Sequence, residues 1–563
     1  MPTPLSTPRH QSERETNRGV AFAKARQNAQ AIDCFRRAIL LDPDLFAAHA
    51  NLGTLLAEQG ATDQALAALE MAVRLKPDSP EAHNNLANLL VALGQLDSAV
   101  EHCRQSLAIR PGNAQALNAL GNALKDQGLL DEAIDAYARA ARLGPDVPQP
   151  ASNYLYALHF QSEQTPASLL AAHRDWSRRH VPPLKFSQAR HRNDRDPERR
   201  LKIGYVSPDF REHPVGRFIL PLLQNHDRKN FEVFCYANLH VSDAMTDCIR
   251  AHADVWRDIA FLSDEQACQM IESDRIDILV DLTMHLRSSR LLLFAAKPAP
   301  VQLSYLAYCS TTGLDAIHYR LTDPFLDPPG NDQWYVERSL RLPQTYWCYQ
   351  ANDAAPAVNA LPATASGEIT FSCLNNFCKI SPPALATWSK LLNTIPNSRL
   401  ILHTTPGTHC DRVRAALGID PSRLSFVRRM PMPQYFAQYH RIDIALDPFP
   451  YTGGTTTCDA LWMGVPVVSL AGKTAVSRGG LSILSNIGHA DWVAQTIDDY
   501  LQIVTNLAGD LKRLAAIRAS LRDQMRRSPL MDAGSFAREV EAAYRWMWCN
   551  YCRPSDNSRG SGG

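Results

Sequence analysis

The amino-acid sequence predicts an all-α array of helical repeats followed by an α/β body of two Rossmann-like lobes. Three observations lead to this fold class. Small residues and prolines recur every 34 residues near the N-terminus, short apolar runs alternate with helical segments from Leu201 onward, and an Ala/Pro-rich linker at 351–366 separates two such series. A length of 563 residues suffices for about three folding units.

The composition is typical of a globular protein, with 45% hydrophobic and 20% charged residues. A formal net charge of +1 gives no global attraction to nucleic acid or to an anionic membrane, so neither is expected as a partner. The sequence has no long apolar run and no signal-like N-terminus, and its 13 cysteines are dilute. We therefore expect a cytoplasmic protein with free thiols, in which the Cys549–Cys552 pair is not a metal site.

Residues 15–150 carry the repeats, after an N-terminal stretch, 1–14, that we expect to be disordered. Prolines recur at a constant spacing of 34 residues: Pro43, Pro77, Pro111 and Pro145. Small residues keep the same step at two more positions: Ala31, Ala65, Ala99, Ala133 and Gly19, Gly53, Ala87, Gly121. This period is the signature of tetratricopeptide repeats, which stack into a superhelix. Glycines are expected to end the first helix of three repeats: Gly60, Gly94 and Gly128.

Tetratricopeptide superhelices bind extended peptides on a concave surface. Asn51 and Asn85 occupy equivalent repeat positions, and Asn88 and Asn122 form a second equivalent pair. Their side-chain amides could hydrogen-bond the backbone of a protein acceptor without reading its sequence. They could equally bridge neighbouring repeats, and the sequence leaves both readings open.

The remaining chain divides into a helical connector at 151–198, a first lobe at 199–350, the linker, a second lobe at 367–548 and a tail at 549–563 that we expect to be disordered. The predicted strands of the first lobe are LKIGYVS, FEVFCYA, DILVDLT and VQLSYLAY. Those of the second are EITFSCL, SRLILHT, RLSFV, DIALDPF and VPVVSLAG. Two such lobes imply a cleft beyond the carboxyl ends of their strands. Neither a GxGxxG nor a Walker A sequence is present, which disfavours dinucleotide redox and P-loop chemistry.

The segment DPFPYTGGTTTCDALWMGVPVV, residues 447–468, is the most informative one. A strand ends, a glycine-rich turn follows, and threonines open a helix whose free N–H groups attract anions. Thr455 and Thr456 add hydroxyl donors, which suits a diphosphate, and Asp459 lies about one turn further on, in reach of a ribose diol. The alternative is ordinary capping of a core helix by threonine.

Two further segments are expected at the same cleft. In LNNFCKISP, residues 374–382, Asn376 and Lys379 follow a strand, and the lysine could neutralise a leaving diphosphate. In DFREHPVGRF, residues 209–218, His213 follows the first strand of the first lobe. The alternatives are a solvated lysine and a structural histidine.

These motifs in this order resemble the O-linked N-acetylglucosamine transferase family, the repeat-bearing nucleocytoplasmic glycosyltransferases, over residues 15–545. The bacterial members are the most similar, because the long insertion between the lobes of the animal enzymes is lacking. The resemblance implies a GT-B fold, inversion at the anomeric carbon, a UDP-sugar donor such as UDP-N-acetylglucosamine, Ser/Thr acceptors on proteins, and no metal or other cofactor.

The resemblance also implies roles for individual residues. His213 matches a histidine proposed as general base, whose role in the family is debated between base and positioner. Asn376 stands where animal enzymes have a uridine-side glutamine, while Tyr435 and Gly454 each replace a histidine. The residues implied at the nucleotide sugar are Asn376, Lys379, Met430, Tyr435, Gly454, Thr455, Thr456 and Asp459.

The sequence departs from the family pattern in two stretches that line the sugar and acceptor region. YLAYCSTTG, residues 305–313, replaces a YPGTSG-like loop, and Leu286 and Ser288 fall in a stretch usually written GYTKG or GHT. We take His285 and Tyr308 as acceptor-region candidates beside Asn51 and Asn85. Plant relatives that use GDP-fucose share the threonine-rich turn, so the nucleotide stays open.

No metal is expected at the diphosphate. The two Asp-x-Asp sequences, at residues 42–44 and 194–196, lie on a repeat turn and in a charged connector with no flanking strand. We therefore interpret the chain as an inverting, metal-independent protein O-N-acetylglucosaminyltransferase. Two alternatives remain: a GDP-fucose-dependent protein fucosyltransferase and a repeat scaffold with weak catalysis.

Overall fold

The computed structural model describes residues 7–181 and 191–553. They divide into two compact units, one reaching Tyr154 and including the short segment Thr405–Asp411, the other formed by the remaining residues. The structure confirms the predicted fold class, namely helical repeats followed by a two-lobed α/β body with parallel sheets. In the described part of the chain, no helix has the length and apolar character needed to cross a bilayer.

The first unit is built from successive helix pairs. Its helices are α1 Pro8–Lys24, α2 Asn28–Leu41, α3 Phe46–Glu58, α4 Thr62–Leu75, α5 Pro80–Ala92, α6 Leu96–Ile109, α7 Ala114–Asp126 and α8 Leu130–Leu143. The alanines of the 34-residue ladder are fully buried where paired helices approach closely: Ala31, Ala65, Ala99 and Ala133. The three predicted helix-ending glycines have φ of 77°, 73° and 75°, a region that disfavours any side chain: Gly60, Gly94 and Gly128.

The ends of the chain differ from expectation. Helix α1 begins at Pro8, with Thr7 as its cap, so the predicted disorder of residues 1–14 is wrong from that point; residues 1–6 lie outside the described part. The connector contains helices α9, Pro148–Leu158, and α10, Pro166–His180, and its residues 182–190 also lie outside the described part.

The first lobe is a seven-stranded parallel sheet. Its strands are β1 Leu201–Ser207, β2 Phe231–Ala237, β3 Val255–Asp258, β4 Ile278–Asp281, β5 Val301–Ser304, β6 Tyr319–Thr322 and β7 Arg338–Arg341. They lie in the order β3-β2-β1-β4-β5-β6-β7. The helices that follow its strands are α11 Pro214–Asn225, α12 Ala244–Ala251, α13 Asp264–Asp274 and α14 Leu291–Ala295. Strands β4 and β5 are buried on both faces, which explains their apolar sequences.

The second lobe is a six-stranded parallel sheet in the order β10-β9-β8-β11-β12-β13. Its strands are β8 Ile369–Cys373, β9 Ser398–His403, β10 Leu424–Val427, β11 Ile444–Leu446, β12 Val467–Leu470 and β13 Val493–Ala494. Its helices are α15 Pro362–Ser366, α16 Pro382–Thr394, α17 Thr408–Leu417, α18 Met432–Gln438, α19 Thr455–Trp462, α20 Gly479–Asn486, α21 Ile497–Gly509 and α22 Leu511–Arg526. Helix α15 lies within the predicted linker.

The last helix, α23 Ala533–Cys552, returns to the first lobe. The Tyr544 hydroxyl lies 3.1 Å from the Tyr205 hydroxyl of β1, and a Glu541 carboxylate oxygen lies 2.8 Å from His226 Nδ1. The assignment of residues 533–548 to the second lobe is therefore incomplete, because these buried polar contacts attach the helix to the first. The predicted disordered tail is helical through Cys552, and residues 554–563 lie outside the described part.

Candidate functional site

The loops that follow six strands of the two lobes line a common cleft with a cavity of about 330 Å³. This position agrees with the rule that ligands of open parallel sheets bind beyond the carboxyl ends of the strands. Seven of the predicted residues line it: His213, Tyr308, Asn376, Lys379, Gly454, Thr455 and Thr456. Aromatic and apolar side chains form much of the remaining wall: Tyr156, Phe218, Leu306, Trp347, Tyr451 and Val476.

His213 caps helix α11 on the first-lobe side of the cleft. Its Nδ1 accepts a hydrogen bond of 3.3 Å from the backbone N–H of Val215, which fixes the ring at the helix N-terminus. Burial lowers the pKa of His213, although the carboxylate of Asp209, 3.6 Å from Nδ1, opposes this effect. Burial thus favours the neutral ring, and the contact with Val215 is compatible with a proton on Nε2.

Lys379 occupies the second-lobe side, at the end of a short 3₁₀ turn after β8. Its Nζ donates to the carbonyl of Thr452 at 2.8 Å and lies 4.2 Å from the centre of the Tyr451 ring. Burial of the ammonium lowers the pKa of Lys379, while the nearby carboxylate of Asp447 opposes the shift. These contacts hold a cation next to the glycine-rich turn.

The glycine-rich turn is held by a buried carboxylate that the sequence did not single out. Asp447 accepts hydrogen bonds of 2.7 Å from the backbone N–H of Gly453 and from the Ser469 hydroxyl. Burial raises the pKa of Asp447 to about 6. At Gly454 an added Cβ would lie 3.3 Å from the Trp347 ring, which shows that this tryptophan fills the space beside the turn.

Helix α19 begins at Thr455 and directs its N-terminus into the cleft. Thr456 donates its hydroxyl to the Asn375 side chain at 2.7 Å, so the turn after β8 and the start of α19 are directly connected. Asn375 is buried, whereas its neighbour Asn376 is exposed and lines the cleft. The sequence pointed to Asn376 alone, and the adjacent buried asparagine was missed.

Asp459 lies one turn into α19, as predicted from its position in the sequence, and its carboxylate is engaged within the protein. It is 1% exposed, and both of its carboxylate oxygens bind the Arg217 guanidinium, at 2.6 and 3.1 Å. The hydroxyls of Tyr349 and Tyr435 donate to the same carboxylate at 2.8 and 3.2 Å. Burial disfavours the charge of Arg217, but Asp459 outweighs this effect and raises the pKa of the arginine. A ribose diol would therefore have to displace existing partners.

Two other residues implied at the nucleotide sugar, Tyr435 and Met430, lie outside the cavity wall. Tyr435, on α18, bonds the Tyr439 hydroxyl at 2.8 Å in addition to Asp459. Met430 is half-buried in the loop before α18. Arg217 and Tyr349 were not predicted; Arg217 lay within the motif that identified His213, one helical turn further along.

The two acceptor-region candidates of the first lobe have different surroundings. Tyr308 lines the cleft, although only 3% of it is exposed. His285 is fully buried: its Nε2 bonds the Thr312 carbonyl at 2.8 Å, and its ring packs against His173 and Trp176 of α10. Burial holds the pKa of His285 well below its ordinary value. His285 thus lies behind the cleft wall, and the prediction of an acceptor contact by its side chain is wrong.

The asparagines of the repeats were expected either to contact a protein acceptor or to bridge neighbouring repeats, and their surroundings differ. The Asn85 amide donates to the Thr54 hydroxyl of the preceding repeat at 3.1 Å, and Asn122 accepts from the Tyr137 hydroxyl at 2.8 Å. Asn51 is half-buried and Asn88 is exposed. Asn85 thus bridges two repeats and Asn122 contacts the second helix of its own repeat, whereas Asn88 is exposed.

The Asp-x-Asp sequences each close a local turn. Asp42 and Asp194 accept from the backbone N–H two residues on, at 3.2 and 3.1 Å. Across residues 7–181 and 191–553, no group of three or more His, Cys, Asp or Glu side chains is placed to hold a metal ion.

Comparison with known proteins identifies one family model for the α/β body and another for the repeats. A model described as Glycosyl transferase family 41 matches residues 147–360 and 354–540, and a Tetratricopeptide repeat model matches 16–80 and 81–148. The Solanum lycopersicum protein named probable UDP-N-acetylglucosamine–peptide N-acetylglucosaminyltransferase SPINDLY is 38% identical over 423 residues, 73% of this chain and 45% of that protein. Its Arabidopsis thaliana counterpart is 38% identical over 424 residues, 73% of this chain and 46% of that protein.

A solved structure extends the similarity to nearly the whole fold. A point mutant of the Thermobaculum terrenum O-GlcNAc transferase matches with a TM-score of 0.86 and 38% identity, over 90% of this chain and 98% of that one. In contrast, the chain spans less than half the length of the SPINDLY proteins.

Proposed function

The chain belongs to glycosyltransferase family 41, and we propose that it transfers N-acetylglucosamine from UDP-N-acetylglucosamine to serine and threonine hydroxyls of proteins. The tomato relative is named for transfer from UDP-N-acetylglucosamine to peptides and the Thermobaculum relative for O-GlcNAc transfer, which supports this donor and this type of acceptor. The observation that carries the proposal is the cleft itself. It brings the Lys379 ammonium and the N-terminus of α19 to one wall and His213 to the other.

The second-lobe wall suits the diphosphate of a nucleotide sugar. Helix α19 offers free N–H groups and a partial positive charge, and Thr455 and Thr456 stand at its first two positions. Lys379 adds a full positive charge. These groups are fixed before the donor binds, so they need little reorganisation when negative charge develops on the leaving phosphate.

In the proposed reaction, the acceptor oxygen attacks the anomeric carbon from the face opposite the diphosphate. The new carbon–oxygen bond forms as the bond to the phosphate oxygen breaks, and its electron pair leaves with UDP, which inverts the configuration. The hydroxyl proton passes to a base or to solvent. Lys379 and the start of α19 stabilise the charge on UDP, and no metal ion is required in this scheme.

The role of His213 follows from its hydrogen bonds. Because Nδ1 accepts from Val215, the neutral ring carries its proton on Nε2. In that tautomer Nε2 is a hydrogen-bond donor, and the lone pair of Nδ1 is already engaged by Val215. We therefore assign His213 to positioning of donor and acceptor rather than to general base catalysis.

The repeats are proposed to guide protein acceptors. Tetratricopeptide superhelices present extended surfaces to peptides, and Asn88 is an exposed amide on the first helix of its repeat. Amides of this kind bind a backbone through hydrogen bonds that are independent of its sequence.

The test combines nucleotide binding with turnover. Calorimetry with UDP and with GDP identifies the nucleotide, and transfer of labelled N-acetylglucosamine or fucose to a protein acceptor identifies the sugar. UDP binding with N-acetylglucosamine transfer is expected. GDP binding with fucose transfer would replace the donor assignment, and nucleotide binding without any transfer by a folded chain would favour the scaffold alternative.

A further inference from the structure

The helical connector contributes aromatic side chains to the cleft. Tyr156 of α9 lines the cavity, and Phe160 lies in the turn that directly follows this helix. Both residues belong to the same compact unit as the two lobes. The ring centre of Tyr156 lies 5.3 Å from that of Tyr308 in the first lobe, and the ring centre of Phe160 lies 5.0 Å from that of Tyr451 in the second. These four residues, the aromatic cluster, therefore join the connector to both walls of the cleft.

Phe160 supports Tyr451 within the aromatic cluster. The two ring planes are nearly parallel, at 22°, which is one of the arrangements that aromatic pairs prefer. Tyr156 packs edge-on against both rings, at 82° and 80°. Phe160 is only 1% exposed and lies behind the cavity wall, whereas Tyr451 lines the cavity. Phe160 thus restricts the positions that the Tyr451 ring can adopt in the wall.

The Tyr451 ring is in turn a contact of the Lys379 ammonium. Nζ of Lys379 lies 4.2 Å from the ring centre and donates to the carbonyl of the next residue, Thr452, at 2.8 Å. Thr452 is fixed independently, because its backbone N–H and its hydroxyl both donate to the carbonyl of Val476, at 3.2 and 3.0 Å. The ring of Tyr451 is held by its packing in the aromatic cluster.

The position of this ring affects the charge of Lys379. An aromatic face stabilises a cation, most strongly where the cation is shielded from water. The titratable groups that act on the ammonium are Asp447, Cys309, Cys373 and Cys378. Burial raises the pKa of the Cys309 and Cys373 thiols to about 12, and it raises the pKa of Asp447 to about 6. Above pH 7, Asp447 therefore supplies the nearby negative charge, and the Tyr451 ring adds its stabilisation of the cation.

We propose that Phe160 is a positioning residue, which holds the Tyr451 ring beside Lys379 and thereby fixes the ammonium that faces the leaving diphosphate. This inference rests on the proposed function, in which Lys379 stabilises the charge on UDP. It makes the connector between the repeats and the lobes a part of the structure that supports the chemical step.

The experiment compares Phe160→Leu, Tyr451→Leu, the double variant and the conservative Tyr451→Phe. We expect turnover at saturating donor to fall by about 10-fold in Phe160→Leu at pH 7, less than the 10²- to 10³-fold expected for loss of the ammonium itself. The double variant should be no slower than Tyr451→Leu, because Phe160 acts through Tyr451. Tyr451→Phe keeps the ring and should stay closer to the unmodified protein than Tyr451→Leu does.

The pH–rate profile distinguishes positioning from a general loss of stability. Turnover should decline at alkaline pH, where Lys379 loses its proton. In Phe160→Leu this decline should begin at a pH lower by about 0.5–1 unit, because the charged lysine has lost part of the stabilisation by the ring. Tyr451→Leu should show a shift of the same sign.

Phe234→Leu is the matched control. Phe234 is a buried phenylalanine of β2 whose ring lies near parallel to Tyr236 and 5.3 Å from Nζ of Lys202. These three residues belong to the first lobe, and none of them lines the cleft. Phe234→Leu should leave turnover and the alkaline decline unchanged. An equal fall of turnover in this control would show that loss of aromatic packing alone explains the effect.

Other outcomes would also overturn the proposal. Normal turnover in Phe160→Leu would exclude a positioning role, and lower turnover with an unmoved alkaline decline would make Phe160 a structural residue only. A further loss in the double variant beyond that of Tyr451→Leu would show that Phe160 acts by another route. If Phe160→Leu does not fold, Phe160→Met and Tyr451→Leu carry the same test.

Trace acetylation of Lys379 separates this proposal from the proposed function, because it needs no turnover. The reactivity of the lysine is followed by mass spectrometry across pH, and its midpoint reports the pKa of Lys379. If the unmodified protein transfers no sugar, the proposed function fails, but the midpoint should still be lower in Phe160→Leu and unchanged in Phe234→Leu. Equal midpoints in Phe160→Leu and the unmodified protein would reject the positioning role.

Discussion

Replacement of Lys379 by methionine tests the charge that we place beside the leaving diphosphate. Methionine keeps most of the length of the side chain but removes the ammonium that now bonds the Thr452 carbonyl and lies over Tyr451. Removal of one preorganised donor to a developing anion lowers turnover by about 10²- to 10³-fold, or about 2.7–4 kcal/mol of transition-state stabilisation. We expect a loss of that size in Lys379→Met.

The same substitution should change how the stability of the protein depends on pH. Burial lowers the pKa of Lys379 in the folded protein below its ordinary value of 10.5, so the unfolded chain binds more protons between the two values. Stability of the unmodified protein therefore rises with pH through that interval, and at pH 7 the charged lysine is unfavourable to folding. Lys379→Met should lack this rise of stability with pH.

The assay measures transfer of labelled sugar to a protein acceptor beside UDP affinity and the thermal midpoint. Lys390→Met, at an exposed position of α16, is the matched control and should be normal in all three. Near-normal turnover of Lys379→Met would refute the leaving-group role. A lower thermal midpoint together with lost UDP binding would show that the lysine is structural instead.

Four further predictions concern the cleft and the repeats. His213→Ala should lower turnover strongly while UDP still binds. The pH–rate profile of the unmodified protein should lack an ionisation near pH 6–7, because burial lowers the pKa of His213 and its Nδ1 is already an acceptor. An ionisation in that range that disappears in His213→Ala would instead support the role of general base. EDTA should leave turnover unchanged, and a loss that Mg²⁺ or Mn²⁺ restores would contradict the role given to Lys379. Asn85→Ala should lower the free energy of unfolding by about 0.5–1.5 kcal/mol, the net contribution of a typical hydrogen bond, because its amide bonds the Thr54 hydroxyl. The thermal midpoint should fall accordingly. Asn88→Ala should instead weaken glycosylation of protein acceptors at an unchanged midpoint, and normal glycosylation would exclude Asn88 from the acceptor surface.

Local regularities in the sequence determined most of the architecture. The 34-residue period identified the repeats, because each repeat must present the same small residues to its neighbours and the same αL glycine at its turn. Apolar runs located the central strands, whereas β3, β6 and β7 were missed because they have little apolar character and β13 because it has only two residues. The motifs also identified the family, which the comparisons confirm.

The sequence alone also placed His213, Lys379 and the threonines of α19 at one cleft, because each directly follows a strand and parallel strands bring their carboxyl ends together. Only the tertiary structure decided which side chains and elements contact one another around this cleft. Asp459 meets Arg217 across 242 positions, His285 is enclosed by α10, and α23 returns to the first lobe. No local pattern encodes such contacts, since the partner of a buried polar group depends on which elements pack together and on the need to satisfy that group away from water.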